Sequence, residues 1–261
     1  MNNKYLIAID SDGTLRHSDG TISKRTKNVI KKLISNGHII TICTGRPRYH
    51  TLKISNEVGI TNYLISSNGT EVYDNINNKI IYAAYLSNDI CKEIYEDTKL
   101  RNIRAIFVSE NTEYATKFVR NDSQVLLTDE NIELLNNQIK QIMIIDNNKE
   151  LVKKYKEFIE DQYNLNVMNS SYEDNEEVWF SIASNAGSKG IALEKLAEYL
   201  NIPISNTIAI GNDINDISMF KKAGTSICVA NALEDIKKEA TCITLSNDQD
   251  GVAEYLEKLL K

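Results

Sequence analysis

The chain has 261 residues, 42% of them hydrophobic and 25% charged, a composition that suits a globular protein of one large domain or two moderate ones. Its 36 acidic residues outnumber 30 basic ones for a net charge of −6, which argues against a nucleic-acid or anionic-membrane surface while remaining compatible with a small anion at a locally positive, metal-loaded site. Cys43, Cys91, Cys228 and Cys242 lie far apart without a CxxC pair and read as buried, reduced thiols. No long apolar segment follows Met1, so a cytoplasmic protein is expected.

The apolar run of residues 5–9 reads as a buried strand, and it runs into Asp10-Ser11-Asp12-Gly13-Thr14. Residues two apart on an extended chain project to the same side, so the carboxyl groups of Asp10 and Asp12 can converge on one point. Gly13 and Thr14 then turn the chain and offer backbone N–H groups to an anion. Two like charges so close need a hard cation such as Mg²⁺. A carboxylate pair holding Mg²⁺ points to phosphate chemistry. A calcium loop of the EF-hand kind fails on spacing, because its twelfth position is Thr21 where a Glu is required.

Ser23 is the expected N-cap of a helix over 24–36, with Val29, Ile30, Leu33 and Ile34 at helical spacing and Gly37 just past its end. A strand over 38–43 leads into Thr44-Gly45-Arg46-Pro47, where Pro47 opens a helix that closes near Gly59. A third strand, 63–66, ends in Ser67-Asn68-Gly69. Strands alternating with helices predict an α/β fold, a Rossmann-like, doubly wound parallel sheet. Ligands of such sheets bind beyond the strands' C-terminal ends, where Asp10, Thr44 and Ser67-Asn68 all fall.

The same alternation resumes with a helix over 188–200, a strand over 207–210, a helix over 214–222, a strand over 226–229 and a last helix over 250–260. Between the halves the order is mixed: helix 88–100, strands 103–109 and 141–146, helix 149–163, strands 165–169 and 178–183. This predicts an α+β cap domain, 84–184, inserted into a core made of 1–83 and 185–261. Trp179 and Phe180 read as core, and Arg104, Lys117 and Arg120 as solvated surface. His17, His38 and His50 show no metal-ligand spacing.

Two further clusters carry chemistry. Lys189 sits in the first turn of its helix, where a cation opposes the helix dipole and calls for an anion such as phosphate or the Asp10 carboxylate. Gly211-Asn212-Asp213-Ile214-Asn215-Asp216 follows a strand and opens a helix. Its oxygen-bearing side chains exceed what one helix cap requires and are suited to a magnesium shell.

Together, Asp10 to Thr14, Thr44-Gly45-Arg46, Lys189 and Gly211 to Asp216 resemble the four ordered motifs of the haloacid dehalogenase superfamily. The Ser67-Asn68-Gly69 turn, the large insertion and the run Asn215 to Phe220 resemble its Cof-type branch with a class IIB cap. The resemblance implies that Asp10 is the nucleophile of an aspartyl-phosphate mechanism and Asp12 the acid and base. It further implies that Thr44, Gly45, Lys189 and Asn215 bind the substrate phosphate, and that Asp10, Asp12, Asn212 and Asp216 supply metal ligands, Asp12 through its backbone carbonyl.

Two positions depart from the family pattern. Asn212 stands where that pattern has a metal-binding Asp, and its amide oxygen can ligate Mg²⁺ without adding charge. Ser11 stands where an apolar residue is common. The expected activity is Mg²⁺-dependent hydrolysis of a small phosphorylated metabolite, sugar phosphates first, with the insertion selecting the leaving group and no nucleic-acid or membrane partner, by a monomer or small homo-oligomer. A phosphotransferase or phosphomutase is the nearest alternative, and Asn212 favours a weakly catalytic sensor. A phospho-receiver domain is disfavoured by the insertion and by Asp12.

Overall fold

The computed structural model describes residues 4–120, 122, 124–136, 138–169 and 177–260. The chain divides into two compact units, one made of Met1–Ala83 with Ser188–Lys261 and the other of Ala84–Gly187. In chain order the first unit begins with β1 (Leu6–Ile9), α1 (Lys24–Ser35), β2 (Ile39–Cys43), α2 (Arg48–Val58), β3 (Tyr63–Ser66), β4 (Glu71–Asp74) and β5 (Lys79–Ala83). The second unit contains α3 (Asn88–Leu100), β6 (Arg104–Val108), β7 (Glu113–Ala115), β8 (Gln124–Leu126), β9 (Gln141–Asp146), α4 (Lys149–Gln162), β10 (Asn166–Asn169) and β11 (Val178–Ala183). The first unit resumes with α5 (Lys189–Tyr199), β12 (Thr207–Gly211), α6 (Ile217–Lys222), β13 (Thr225–Val229), α7 (Glu234–Lys237), β14 (Cys242–Thr244) and α8 (Gly251–Leu256).

The first unit is an eight-stranded sheet in the order β14-β13-β12-β1-β2-β3-β4-β5. It is parallel from β14 to β3, and β4 and β5 extend it antiparallel. Both faces are covered, so the strands are apolar throughout rather than alternating. Ile7 and Ile9 of β1 pack with Val29 and Leu33 of α1, Ile54 of α2 and Leu256 of α8. Leu6 and Ala8 face the opposite way, onto Leu193 and Leu196 of α5 and Met219 and Phe220 of α6. The caps are local: Ser23 accepts from Thr26 N, and Gly59 ends α2 at φ +79.

The second unit is a six-stranded sheet, β10-β11-β9-β6-β7-β8, antiparallel except for the β7/β8 pair. One face, with Phe107, Ile142, Ile144, Phe180 and Ile182, packs on Ile94 and Tyr95 of α3 and Val152, Tyr155 and Ile159 of α4. Ile106, Val108, Ala115 and Ile145 form a second cluster with Met143 and Trp179. The alternation along β6 and β9 produces these two sides.

Differences from the sequence reading lie mostly in short elements. The β4/β5 hairpin and the three-residue strands β7, β8 and β14 have too few residues to show a period. The helix expected over 214–222 is a tight turn, Ile214–Asp216, followed by α6. Arg104, read as solvated surface, is only 3% exposed. Its guanidinium lies 4.5 Å from the Phe118 ring centre, and Nη2 donates to Gln124 Oε1 at 3.2 Å and Phe118 O at 3.4 Å. Arg104 Nε and Nη1 have no partner among the described residues.

Candidate active site

β1 delivers Asp10, whose backbone N–H still donates to Ile210 O of the neighbouring strand at 2.9 Å. Beyond it the chain makes a wide turn closed by Leu15 N to Asp10 O at 3.2 Å and Arg16 N to Ser11 O at 3.0 Å. Gly13 takes φ +75, and a Cβ there would stand 2.7 Å from the Asn212 side chain. A glycine is therefore required on both conformational and steric grounds.

Lys189, expected from its place in the first turn of a helix to meet an anion, is 1% exposed. Ser188 caps α5 by accepting from Ile191 N, which turns the Lys189 side chain into the site. Its Nζ donates to Asp10 Oδ1 at 2.7 Å and to Asp216 Oδ1 at 2.6 Å. Burial pushes the Asp10 carboxyl up, to about 7, against the pull of Lys189, while Asp216 and Asp12 add to the rise. Burial would lower the Lys189 ammonium, but the charges of Asp10 and Asp216 override it and hold Lys189 above its usual value. Lys189 is thus held as a cation between two carboxyl groups, and burial holds Asp10 above the usual carboxylate range.

The other oxygen of Asp216 accepts from the backbone N–H groups of Asn212 at 2.8 Å and Asp213 at 3.0 Å. Asp216 is fully buried, so both its oxygens are committed to Lys189 and to the turn after β12. Asp213 in turn caps Ile214 N at 2.7 Å.

Asp12 is gripped in fork geometry by Arg46, Nε to Oδ2 at 2.6 Å and Nη2 to Oδ1 at 2.9 Å. Thr44 Oγ1 accepts from Arg46 N at 3.3 Å, which ties the strand end to the residue holding Asp12. Asn68 N donates to Thr44 O at 3.0 Å, and Asn68 Oδ1 accepts from Asn215 Nδ2 at 2.8 Å. Ser67, Asn68 and Gly69 take φ +48, +57 and +85, three left-handed residues in succession. Gly69 permits a Ser188 carbonyl to come where a Cβ would lie, 2.2 Å away.

All eight residues proposed from sequence, Asp10, Asp12, Thr44, Gly45, Lys189, Asn212, Asn215 and Asp216, come from strand ends or helix starts of this one unit. Lys189 joins Asp10 to Asp216 directly, and the Asn212 side chain, bonded to the Thr14 hydroxyl at 2.7 Å, lies beside Asp10 and Asp12. Gly45 lies against Asn68, whose Oδ1 would be 2.9 Å from a Cβ at that position. Sequence reasoning placed Asn68 at a ligand-binding strand end and gave Thr14 a backbone N–H for an anion, but not their side-chain partners, Asn215 for Asn68 and Asn212 for Thr14. Ser11 Oγ, Ser67 Oγ and Asn215 Oδ1 are buried without a partner among the described residues. Unmet polar groups at one site are expected where a polar ligand completes them.

A metal can be tested on these donors. No group of three His, Cys, Asp or Glu side chains of metal-binding geometry occurs among the described residues. The donors here are of mixed kind: the distal atom of the Asn212 amide lies 3.1 Å from Asp12 O and 3.3 Å from Asp10 Oδ2. Adjacent oxygens of a magnesium octahedron stand about 2.9 Å apart, so the set fits with small adjustment. It carries one full negative charge.

A carboxylate pair, a buried lysine and an amide cluster gathered at the C-terminal edge of a parallel sheet define an α/β core built for phosphate chemistry, with a large insertion after β5. A family profile of haloacid dehalogenase-like hydrolases matches residues 7–256, and the chain belongs to that family. It is of the Cof type. Phosphatase YwpJ of Bacillus subtilis (strain 168) is 28% identical, covering 98% of this chain and 99% of its own. The 5-amino-6-(5-phospho-D-ribitylamino)uracil phosphatase YwtE of the same organism is 27% identical, with 97% of each chain covered. The solved structure of a haloacid dehalogenase-like hydrolase from B. subtilis superposes with a TM-score of 0.83 at 26% identity, over 97% of this chain and 99% of that one.

Proposed function

We propose that this hydrolase is a Mg²⁺-dependent, cytoplasmic phosphatase of small phosphorylated metabolites, sugar phosphates above all, working through an aspartyl-phosphate. The observation that carries this reading is the buried Asp10–Lys189–Asp216 chain of hydrogen bonds, one turn from an Asp12 locked by Arg46. The relatives named phosphatases support it. Asp10 attacks phosphorus through its carboxylate, the ester P–O bond breaks, and Asp12 gives its proton to the departing oxygen. Water then attacks the acyl phosphate, Asp12 takes back a proton, and the Asp10 carboxylate is regenerated as phosphate leaves.

Lys189, Thr44 Oγ1, the Gly45 N–H and Asn215 hold the phosphoryl oxygens, and their strength comes from being fixed beforehand in a site shielded from water. Arg46 keeps the Asp12 carboxylate aimed, and for the acid step one Asp12 oxygen exchanges its Arg46 bond for a proton. Asp10 Oδ2, Asp12 O and Asn212 Oδ1 are the atoms that would hold Mg²⁺, and Asp216 serves as the anchor of Lys189. Bound Mg²⁺ supplies charge neutralisation between the nucleophile and the phosphate dianion. The second compact unit is assigned the selection of the leaving group, as a monomer or small homo-oligomer. The test is phosphate release from a panel of sugar phosphates, a phosphorylated ribityl compound, nucleotides and an aryl phosphate, with Mg²⁺ and with chelator. Metal-dependent release that disappears in Asp10→Asn is the expected result, and release surviving in that variant removes Asp10 as nucleophile.

A further inference from the structure

The turn that follows Asp10 is held from one side by three asparagines, one beyond the end of each strand on that side of β1. The strands lie in the order β14-β13-β12-β1, and a parallel sheet sets their C-terminal ends at one edge. Directly after β12, the Asn212 side chain meets the Thr14 hydroxyl at 2.7 Å. Two residues beyond β13, Asn231 donates from Nδ2 to Gly13 O at 2.8 Å. Three residues beyond β14, Asn247 donates from Nδ2 to Arg16 O at 2.9 Å. The last two are joined, because Asn247 N donates to Asn231 Oδ1 at 3.0 Å. A carbonyl can only accept and a backbone N–H can only donate, so these two partners fix which way the Asn231 amide points.

What Asn231 holds is the least constrained part of the turn. The ends are closed by Leu15 N to Asp10 O at 3.2 Å and Arg16 N to Ser11 O at 3.0 Å. Between them Gly13 sits at φ +75 and ψ 1, with no Cβ to limit its rotation. The planar Asp12–Gly13 peptide, which carries Asp12 O, turns with the Gly13 dihedral angles. The bond to Gly13 O restrains that rotation, while Arg46 holds the Asp12 carboxylate itself. The same C-terminal segment fastens the chain further on. Asp248 accepts from Ser18 N at 2.7 Å and Ser18 Oγ at 2.8 Å, and Asp250 Oδ1 lies 2.9 Å from His17 Nε2. Asn247 is buried and Asn231 is exposed, so a change at Asn231 tests its hydrogen bonds and not the packing of the core.

We propose that Asn231, backed by Asn247, is a positioning residue whose amide fixes the Asp12–Gly13 peptide and thereby the place of Asp12 relative to Asp10. The proposal rests on the reading of these two aspartates as acid and base and as nucleophile. Asn231 acts through the turn, so its loss is felt in the chemical step more than in substrate binding: a displacement of about 1 Å in a reacting group lowers the rate steeply.

The test uses Asn231→Asp and Asn231→Ala in the full chain. The aspartate keeps the shape and an oxygen for Asn247 N but lacks the N–H that Gly13 O accepts, and the alanine removes the amide without adding charge. With p-nitrophenyl phosphate and MgCl2, kcat should fall about tenfold in both variants, KM should stay within about twofold and melting within about 2 °C of wild type. Hydrogen exchange followed by mass spectrometry should be about tenfold faster over residues 11–16 and unchanged elsewhere. Wild-type kcat in the alanine variant, or a rise in KM with kcat unchanged, overturns the positioning role while the phosphatase reading stands. If the wild type releases no phosphate, the phosphatase reading fails, and exchange alone then decides whether Asn231 holds the turn: unchanged exchange over 11–16 overturns it.

Discussion

Two buried cations of this molecule, Lys189 in the first unit and Arg104 in the second, are treated in opposite ways. Lys189 in the first unit is 1% exposed and meets a carboxylate on either side, Asp10 at 2.7 Å and Asp216 at 2.6 Å. Arg104 in the second unit is 3% exposed, has two long hydrogen bonds and an aromatic ring, and leaves Nε and Nη1 without a partner among the described residues. Burial and the nearby Arg120 push the Arg104 guanidinium below its usual value, whereas Lys189 is held above its own. A buried charge with full pairing belongs to a preorganised site, and one with partial pairing is tolerated at a cost.

The largest expected effect breaks the well-paired member. Lys189→Met leaves Asp10 and Asp216 facing each other without a cation, and should lower stability by about 3–5 kcal/mol in denaturant unfolding. Phosphate release should fall by at least about 10²-fold in the same variant. Near wild-type stability would mean that the lysine is not what holds the two carboxylates together. Gly69→Ala tests the backbone that brings Ser188 alongside: with φ +85 and a Cβ 2.2 Å from Ser188 O, it should cost about 2–3 kcal/mol. An alanine accommodated at no cost would show that this approach is loose.

Asp74 sharpens the comparison with a carboxylate of the first unit that is fully satisfied away from the site. It is buried and accepts from Ile76 N and Asn77 N at 3.0 Å, Asn77 Nδ2 at 2.8 Å and Tyr199 Oη at 3.0 Å. Burial raises its carboxyl, but the bonds from Asn77, Tyr199 and Ile76 outweigh it and hold Asp74 below the usual carboxylate value. Its stabilising contribution is therefore complete above the unfolded value near pH 4 and is lost as pH falls through the depressed folded value. Asp74→Ala should cost about 1–2 kcal/mol at pH 7, and the difference from wild type should narrow toward pH 2. A difference independent of pH would assign the loss to packing. The smallest effect is expected at the poorly paired member: Arg104→Met should fall within about 1 kcal/mol of wild type, or above it, because replacing a partly satisfied buried cation by an apolar chain of similar length removes a desolvation cost.

Much of this was legible without coordinates. The period of Val29, Ile30 and Leu33, the Ser23 cap and the runs that became β1, β2, β3 and β12 are local signals, and they reappear within a residue or two. So does the gathering of Asp10, Thr44, Asn68 and Asn212 at one sheet edge, because a parallel sheet places every strand's C-terminal end on the same side. Short pairings such as β4/β5 and β7/β8 were not legible, since strands of three to five residues are too short to leave a period in the chain.

The sequence by itself determined the order of motifs, the helices with their caps, the buried strands and the residue types available for chemistry. Each of these follows from interactions between neighbours along the chain. Only the tertiary structure decided how those residues divide their work: that Lys189 is buried between Asp10 and Asp216, that Asp216 is spent on the lysine and two backbone N–H groups, that Arg46 grips Asp12, and that Arg104 lies inside and not on the surface. A side chain's partner and its exposure are properties of what other segments bring to it, and Lys189 and Asp10 stand 179 positions apart along the chain.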